Sequence, residues 1–266
     1  MTTEFEHYTF KQRLTSMLSI DLRRMFTTRL FYLFVAICLV IPAIILIMTN
    51  AMAGSVSVDP NTGAETVAEG FDNVWQMIGS DGSSASAGMS LTSMCNINLL
   101  YFGIVIFISL FISEDFKSGY AKNLFTVRSS KTDYVISKTA VGMIAGVSTI
   151  IFFLIGTIIG GSIAGVSFDL GTVTVGNIVM CVLAKIFLMG VFVSISTFMC
   201  IFAKEKTWLG IIASCAVCML LFSMIPMISP LKSTILNVVL CLVGGLLFEF
   251  GFGALSNLIL KKLSIL

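Results

Sequence analysis

The chain has 266 residues, 57% of them hydrophobic and only 11% charged, with a mean hydropathy of +1.01. A soluble domain carries about a quarter charged residues, so composition excludes an ordinary water-soluble globule and indicates a membrane protein. The single histidine, His7, excludes zinc proteases built on paired histidines, haem ligation by a His pair and most His-based hydrolases, while the net charge of +2 hides a segregation of sign along the chain.

The opening stretch MTTEFEHYTFKQRL has no early apolar core or small-residue cleavage site, so no signal peptide is expected. Residues 1–29 read as an amphipathic helix. On a wheel over 8–28, Phe10, Leu14, Met17, Leu18, Leu22 and Met25 share one side, and Gln12, Ser16, Ser19, Arg23 and Thr27 the other. Such a helix lies in the cytoplasmic interface, with Arg13, Arg23 and Arg24 anchored near anionic headgroups. Lys11 and Asp21 interrupt its apolar side.

Crossing about 30 Å of hydrocarbon takes roughly 20 apolar residues. Six segments meet this length: 30–49, 95–113, 139–164, 177–202, 208–229 and 235–260. They are apolar on every face, unlike the alternating strands of a barrel, so the expected fold is an all-α polytopic bundle with a six-helix transmembrane domain over 30–266. Pro42 is expected to kink the first span, and Pro226 and Pro230 to bend and then end the fifth. The third span carries Gly142/Gly146 and Gly156/Gly160 at G-x-x-x-G spacing, which lets helix backbones approach closely; the spacing leaves open whether the partner helix belongs to the same chain.

Orientation follows from Lys and Arg in the loops. Lys11, Arg13, Arg23, Arg24 and Arg29 precede the first span; Lys117, Lys122, Arg128, Lys131 and Lys138 follow the second; Lys204 and Lys206 follow the fourth, and Lys261 and Lys262 the sixth. These are 14 of the 16 basic residues, and they place both termini in the cytoplasm. The first outer loop, 50–94, has no Lys or Arg and carries Asp59, Glu65, Glu69, Asp72 and Asp81. It reads either as an acidic vestibule that gathers cations or as a loop from which topology has removed the bases. Val67, Phe71, Val74 and Ile78 suggest a short amphipathic helix there, and residues 80–90 a flexible return.

Six cysteines (Cys38, Cys181, Cys200, Cys215, Cys218 and Cys241) fall inside apolar runs and Cys95 at the edge of one. Although Cys215 and Cys218 spell C-x-x-C, no basic neighbour stabilises a thiolate, so packing is the expected role. Two charges lie within spans. Glu249 sits near the midplane, where a carboxylate is costly; a structural partner, a substrate or proton role and a protonated acid are its three readings. Lys185 is expected either to snorkel to the outer interface or to reach toward Glu249. The chain has no G-x-x-x-x-G-K-[ST] stretch, so it is expected not to be an enzyme by itself.

Residues 114–138, SEDFKSGYAKNLFTVRSSKTDYVISK from Ser113 onward, form a charged cytoplasmic loop between the second and third spans. Phe116, Tyr120 and Leu124 share a helical face that Gly119 interrupts; the alternative is a solvated connector made basic by topology. The pattern Glu114, Gly119, Lys122, Leu124, Ser129, Lys131, Tyr134 and Lys138 resembles the segment at this place in the permease subunits of ATP-binding-cassette (ABC) transporters of the type-2 exporter family. That family also has an interfacial N-terminal helix and six spans. The frequent proline before the basic patch is absent here, where Thr126 and Val127 stand, and the large outer element follows the first span instead of lying between the fifth and sixth.

The resemblance implies that 114–138 is a coupling loop docking on a separate cytosolic ATPase, with Glu114, Phe116, Gly119, Tyr120, Lys122 and Leu124 as contacts. It further implies two ATPase copies that bind ATP and Mg, a second permease chain, identical or homologous, and no cofactor on this chain. The bilayer of a bacterial plasma membrane, and no nucleic acid, completes the expected surroundings. The smaller permeases of this kind export antimicrobial peptides or amphipathic drugs. Along the substrate path the candidates are Asn96, Asn98, Phe248, Glu249 and Phe250. Two rivals remain: an ion- or proton-coupled secondary transporter working through Glu249, and a membrane sensor or assembly partner using the acidic loop.

Overall fold

Thr9 begins the first helix through a capping box: its side chain accepts from the Gln12 amide, and Gln12 Oε1 accepts from the Thr9 amide at 2.9 Å, which satisfies amide donors that the first turn leaves without partners. The computed structural model describes residues 9–58, 65–67, 70–79, 96–127, 131–222 and 224–262. Among these the helices are α1 (Phe10–Thr27), α2 (Arg29–Met52), α3 (Leu99–Lys117), α4 (Tyr120–Val127), α5 (Lys131–Ala164), α6 (Val175–Ala203), α7 (Thr207–Phe222), α8 (Ile225–Ile228) and α9 (Ile235–Lys262). Two short strands, β1 (Val56–Val58) and β2 (Glu65–Val67), pair antiparallel.

Five helices, α2, α3, α5, α6 and α9, are long and apolar enough to cross a membrane, so the protein is an all-α polytopic membrane protein. The segment expected as one span over 208–229 is broken. α7 has 16 residues, which rise only about 24 Å, and α8 follows it with Pro226 in its first turn. The reason is the missing amide of Pro226, whose intrahelical partner would have been the Phe222 carbonyl; proline is tolerated in a first turn and not in a helix interior. Pro42, by contrast, stays inside α2.

α6 is the central helix, packing on α3, α5, α7 and α9. In their most apolar windows, 61% of α3 and of α6 is buried but only 11% of α9, so α9 lines the periphery. The glycines of α5 set the approach of its neighbours. A Cβ on Gly156 would collide with the Leu39 carbonyl oxygen of α2, and one on Gly160 with Ala43 Cα. Likewise a Cβ on Gly142 would meet Val193 Cγ1, and one on Gly146 Met189 Cγ, each at 2.7 Å. The contacts at these four positions are therefore made within one chain.

Helix α1, the N-terminus of α5 and the C-terminus of α9 meet at one end of the bundle, where Met17, Tyr134, Val135, Ile201 and Leu260 form a buried cluster. Lys131 Nζ donates to the Leu260 carbonyl at 2.6 Å, placing a cation at the negative end of α9. At the opposite end, residues 65–67 form a strand rather than the start of an amphipathic helix, and among the described residues of this segment Val74–Met77 coils, as a 3-10 turn. Phe71, Val74, Met77 and Ile78 are buried there. The turn is tied down by Val74 N to Ser167 O at 3.0 Å, Ile97 N to Met77 O at 2.9 Å and Trp75 Nε1 to Phe168 O at 3.1 Å. The return read over 80–90, Cys95, Arg128 and Ser129 lie outside the described residues.

Candidate functional site

The charged segment 114–138 is not one loop. α3 runs through Lys117 and α5 begins at Lys131, leaving the eight-residue α4 between them. Phe116 and Tyr120 consequently belong to different helices rather than to one face of a single helix. Gly119, at φ +72°, makes the break, a conformation costly for any residue with a Cβ. The polarity of the segment reflects buried pairing as much as solvation: Asp115, Asp133, Ser137 and Lys138 are all buried inside helices.

Their partners come from α1. Lys138 Nζ lies 2.8 Å from Asp21 Oδ1 and 2.7 Å from Asp115 Oδ2. The Arg24 guanidinium forms an ion pair with Asp115 Oδ1 at 2.8 Å and lies 3.8 Å from Asp21. Tyr134 OH donates to Asp115 Oδ2 at 2.9 Å and Ser137 Oγ to Asp21 Oδ2 at 2.7 Å. Two cations and two carboxylates thus cancel while hydroxyls take further lone pairs, the condition under which buried charge is tolerated. Asp21 interrupts the apolar side of α1 because that side faces Lys138. One turn from the start of the helix, Arg13 Nε pairs with buried Asp133 at 3.3 Å.

The same frame reaches α4. Arg24 lies over the Tyr120 ring at 4.2 Å, a cation–π distance, and Lys138 over Phe111 at 4.6 Å. Burial works against the Arg24 charge, but Asp115 beside it more than offsets this and holds the guanidinium above its ordinary value. The Tyr120 phenol is pushed up by burial and by the negative charge of Asp21. Phe125 and Phe116 meet Tyr134 edge-on at 5.3 and 6.4 Å. Ala121 is buried and Leu124 half-buried, while Lys122, Asn123 and Thr126 are exposed. α4 is therefore fixed on one side and open on the other. Glu114, on α3, and Arg23, on α1, are exposed.

At the opposite end lies a second polar cluster. Lys185 is buried, and its Nζ donates to Asn98 Oδ1 at 2.8 Å and Ser229 Oγ at 3.2 Å. Tyr101 OH donates to the Lys185 carbonyl at 3.1 Å. Lys185 therefore neither snorkels nor pairs with Glu249. Its two side-chain partners come from helix ends, Asn98 preceding α3 and Ser229 closing α8. Asn96 and Asn98 are buried, so neither lines an open path. Glu249 is half-buried in the notch left by Gly190, where a Cβ would strike its Oε1. Phe248 stacks near Phe252 at 5.8 Å, and Phe250 points outward.

Asp21, Asp115 and Asp133 were not singled out as site residues from the sequence. The signal that finds them is an acid on an otherwise apolar helical face opposite an equally misplaced base. Among the described residues no cluster of three or more His, Cys, Asp or Glu side chains could hold a metal. No protein-family model, curated protein or solved structure matches this chain.

Proposed function

We propose that the chain is the membrane-spanning subunit of an ATP-driven exporter of the ABC type-2 kind, with α4 as the element that meets a cytosolic ATPase. The observation that carries this reading is Arg24, which pairs with Asp115 of α3 and stacks on Tyr120 of α4. A force applied to α4 is delivered through that residue to α1 and α3, and through Lys138 to α5. A connector that only joined two spans would need no such anchorage. The exposed Lys122, Asn123 and Thr126 are the docking side.

In this reading α7 and α8 together make the fifth of six spans, both termini are cytoplasmic in a bacterial plasma membrane, and the cargo is amphipathic, such as an antimicrobial peptide or drug. Two ATPase subunits, supplying ATP and Mg, serve two permease chains. Gentle purification of the tagged protein from its native membranes tests this. A soluble P-loop ATPase is expected in stoichiometric amount and is expected to be lost with K122E; a chain that emerges alone, and binds no ATPase under mild conditions, contradicts it.

A second reading rests on Glu249, which has no ion pair among the described residues although a buried carboxylate is costly in a span. It makes the chain a secondary transporter, and predicts that E249Q abolishes transport driven by a pH gradient with no ATPase present.

A further inference from the structure

Glu249 stands about half-way along the 28-residue α9 and is half-buried. Among the described residues no lysine or arginine forms an ion pair with it, whereas the carboxylate of Asp21 has Lys138 Nζ at 2.8 Å. An ionisable group within a spanning helix marks a functional site by default, and a carboxylate there is costly without a counter-charge. α9 is also the least enclosed of the spans, 11% buried in its most apolar window. The acid therefore stands at the edge of the bundle, where a molecule in the bilayer can reach it.

Room and aromatic rings adjoin this carboxylate. On the α6 side it occupies the notch left by Gly190, where a Cβ would strike its Oε1. Residues four apart share a helical face, and those flanking Glu249 in this way are Gly245 and Gly253. Gly245 lets α9 close on α6, since a Cβ there would lie 2.7 Å from the Phe187 carbonyl oxygen. A Cβ on Gly253 meets nothing within 4 Å, so the space beside the acid toward the C-terminal end of α9 is open. Phe252, three residues on and so also on this face, meets Phe198 of α6 at 5.3 Å and stacks near Phe248 at 5.8 Å. Phe248 is itself 39% exposed. A carboxylate with free space and π faces beside it supplies the two attractions that hold an organic cation, opposite charge and the ring quadrupole.

We infer that the α6–α9 seam at Glu249 binds a hydrophobic organic cation, whose charge pairs with the Glu249 carboxylate and whose apolar groups lie on Phe252 and Phe248. The charge decides against anionic amphiphiles, and the place of the site, at mid-span on the periphery of the bundle, decides for a molecule that arrives through the bilayer. The inference rests on the transport reading and deepens it by naming the charge of the cargo. The binding it describes needs neither an ATPase nor an ion gradient, so either can fail alone.

The test is equilibrium dialysis of the full chain in dodecyl maltoside against tetraphenylphosphonium, with the same detergent lacking protein as the blank. Saturable one-to-one binding is expected. E249Q, which keeps the shape of the side chain and removes its charge, is expected to weaken it at least about tenfold, equivalent to about 1.4 kcal/mol. Tetraphenylborate, of the same shape and opposite charge, is expected to bind the parent chain at least about tenfold more weakly than the phosphonium. G253L has room for its side chain and is expected to weaken phosphonium binding with Glu249 intact; this variant decides the matter should E249Q fail to fold. No saturable binding by the parent chain, equal binding of the two probes, or undiminished phosphonium binding by E249Q or by G253L overturns the inference. A parent chain that binds no phosphonium and is a dimer in detergent, with E249Q a monomer, overturns it too and assigns Glu249 to a contact between copies.

Discussion

Asp21 of α1 and Lys138 of α5 are 117 positions apart in sequence and 2.8 Å apart in space, both fully buried. The pair fastens a helix too polar to span the membrane onto one that does. Removing one partner of a buried pair leaves an uncompensated charge, at a cost of about 3–5 kcal/mol. K138M is therefore expected to lower stability by about that amount, measured by denaturation in a fixed detergent. D21N combined with K138M is expected to cost less than the two single changes added together, because the coupled charges leave jointly. Additive losses would mean the two residues do not act as a pair.

Substitutions at two glycines are expected to act for different reasons. G156L drives a side chain into the Leu39 carbonyl and is expected to separate α2 from α5, seen as loss of a monodisperse folded species. G119A has open space around its Cβ but must hold φ at +72°, a backbone penalty of about 1–2 kcal/mol. It is expected to fold, with the α3–α4 junction exchanging amide hydrogen faster than in the parent chain. A G119A protein with unchanged exchange would show that the turn tolerates other geometries.

R24K keeps the charge beside Asp115 but gives up the planar stacking on Tyr120. Expression and melting temperature are expected to change little, since Arg24 is partly exposed. In the proposed complex with an ATPase, stimulation of that ATPase by cargo is expected to fall several-fold, by about 1 kcal/mol of lost stacking. Y120F, which retains the ring, is expected to keep stimulation, and Y120A to lose it. If R24K and Y120A both couple normally, force does not pass through this contact.

The spanning helices were legible because long apolar runs have few alternatives. The fifth was legible in part: a bend at Pro226 was expected within one span, and the segment is divided there into α7 and α8. The buried face of α1 was equally visible in Leu14, Met17, Leu18, Leu22 and Met25. What could not be read was the partnership of its one discordant residue, Asp21, because an ion pair between residues 21 and 138 depends on how α1 crosses α5. The segment from Ser113 to Lys138 misled for a related reason. Asp115 and Lys138 look like loop residues when counted singly and become helical core residues once each neutralises the other. Lys185 was recognised as unusual, while its partners Asn98 and Ser229 come from a helix start and a break that hydropathy does not resolve.

Whether α4 meets an ATPase is tested most directly by a photo-crosslinking amino acid placed at Asn123, on the exposed side of α4, in cells that make the protein natively. Irradiation is expected to join the chain to a cytosolic P-loop ATPase, and the same probe at Ile151, an exposed apolar position on α5, is expected not to. Crosslinks from Asn123 to lipid or to the chain itself alone, with no ATPase captured, would contradict the assignment of α4 as the coupling element.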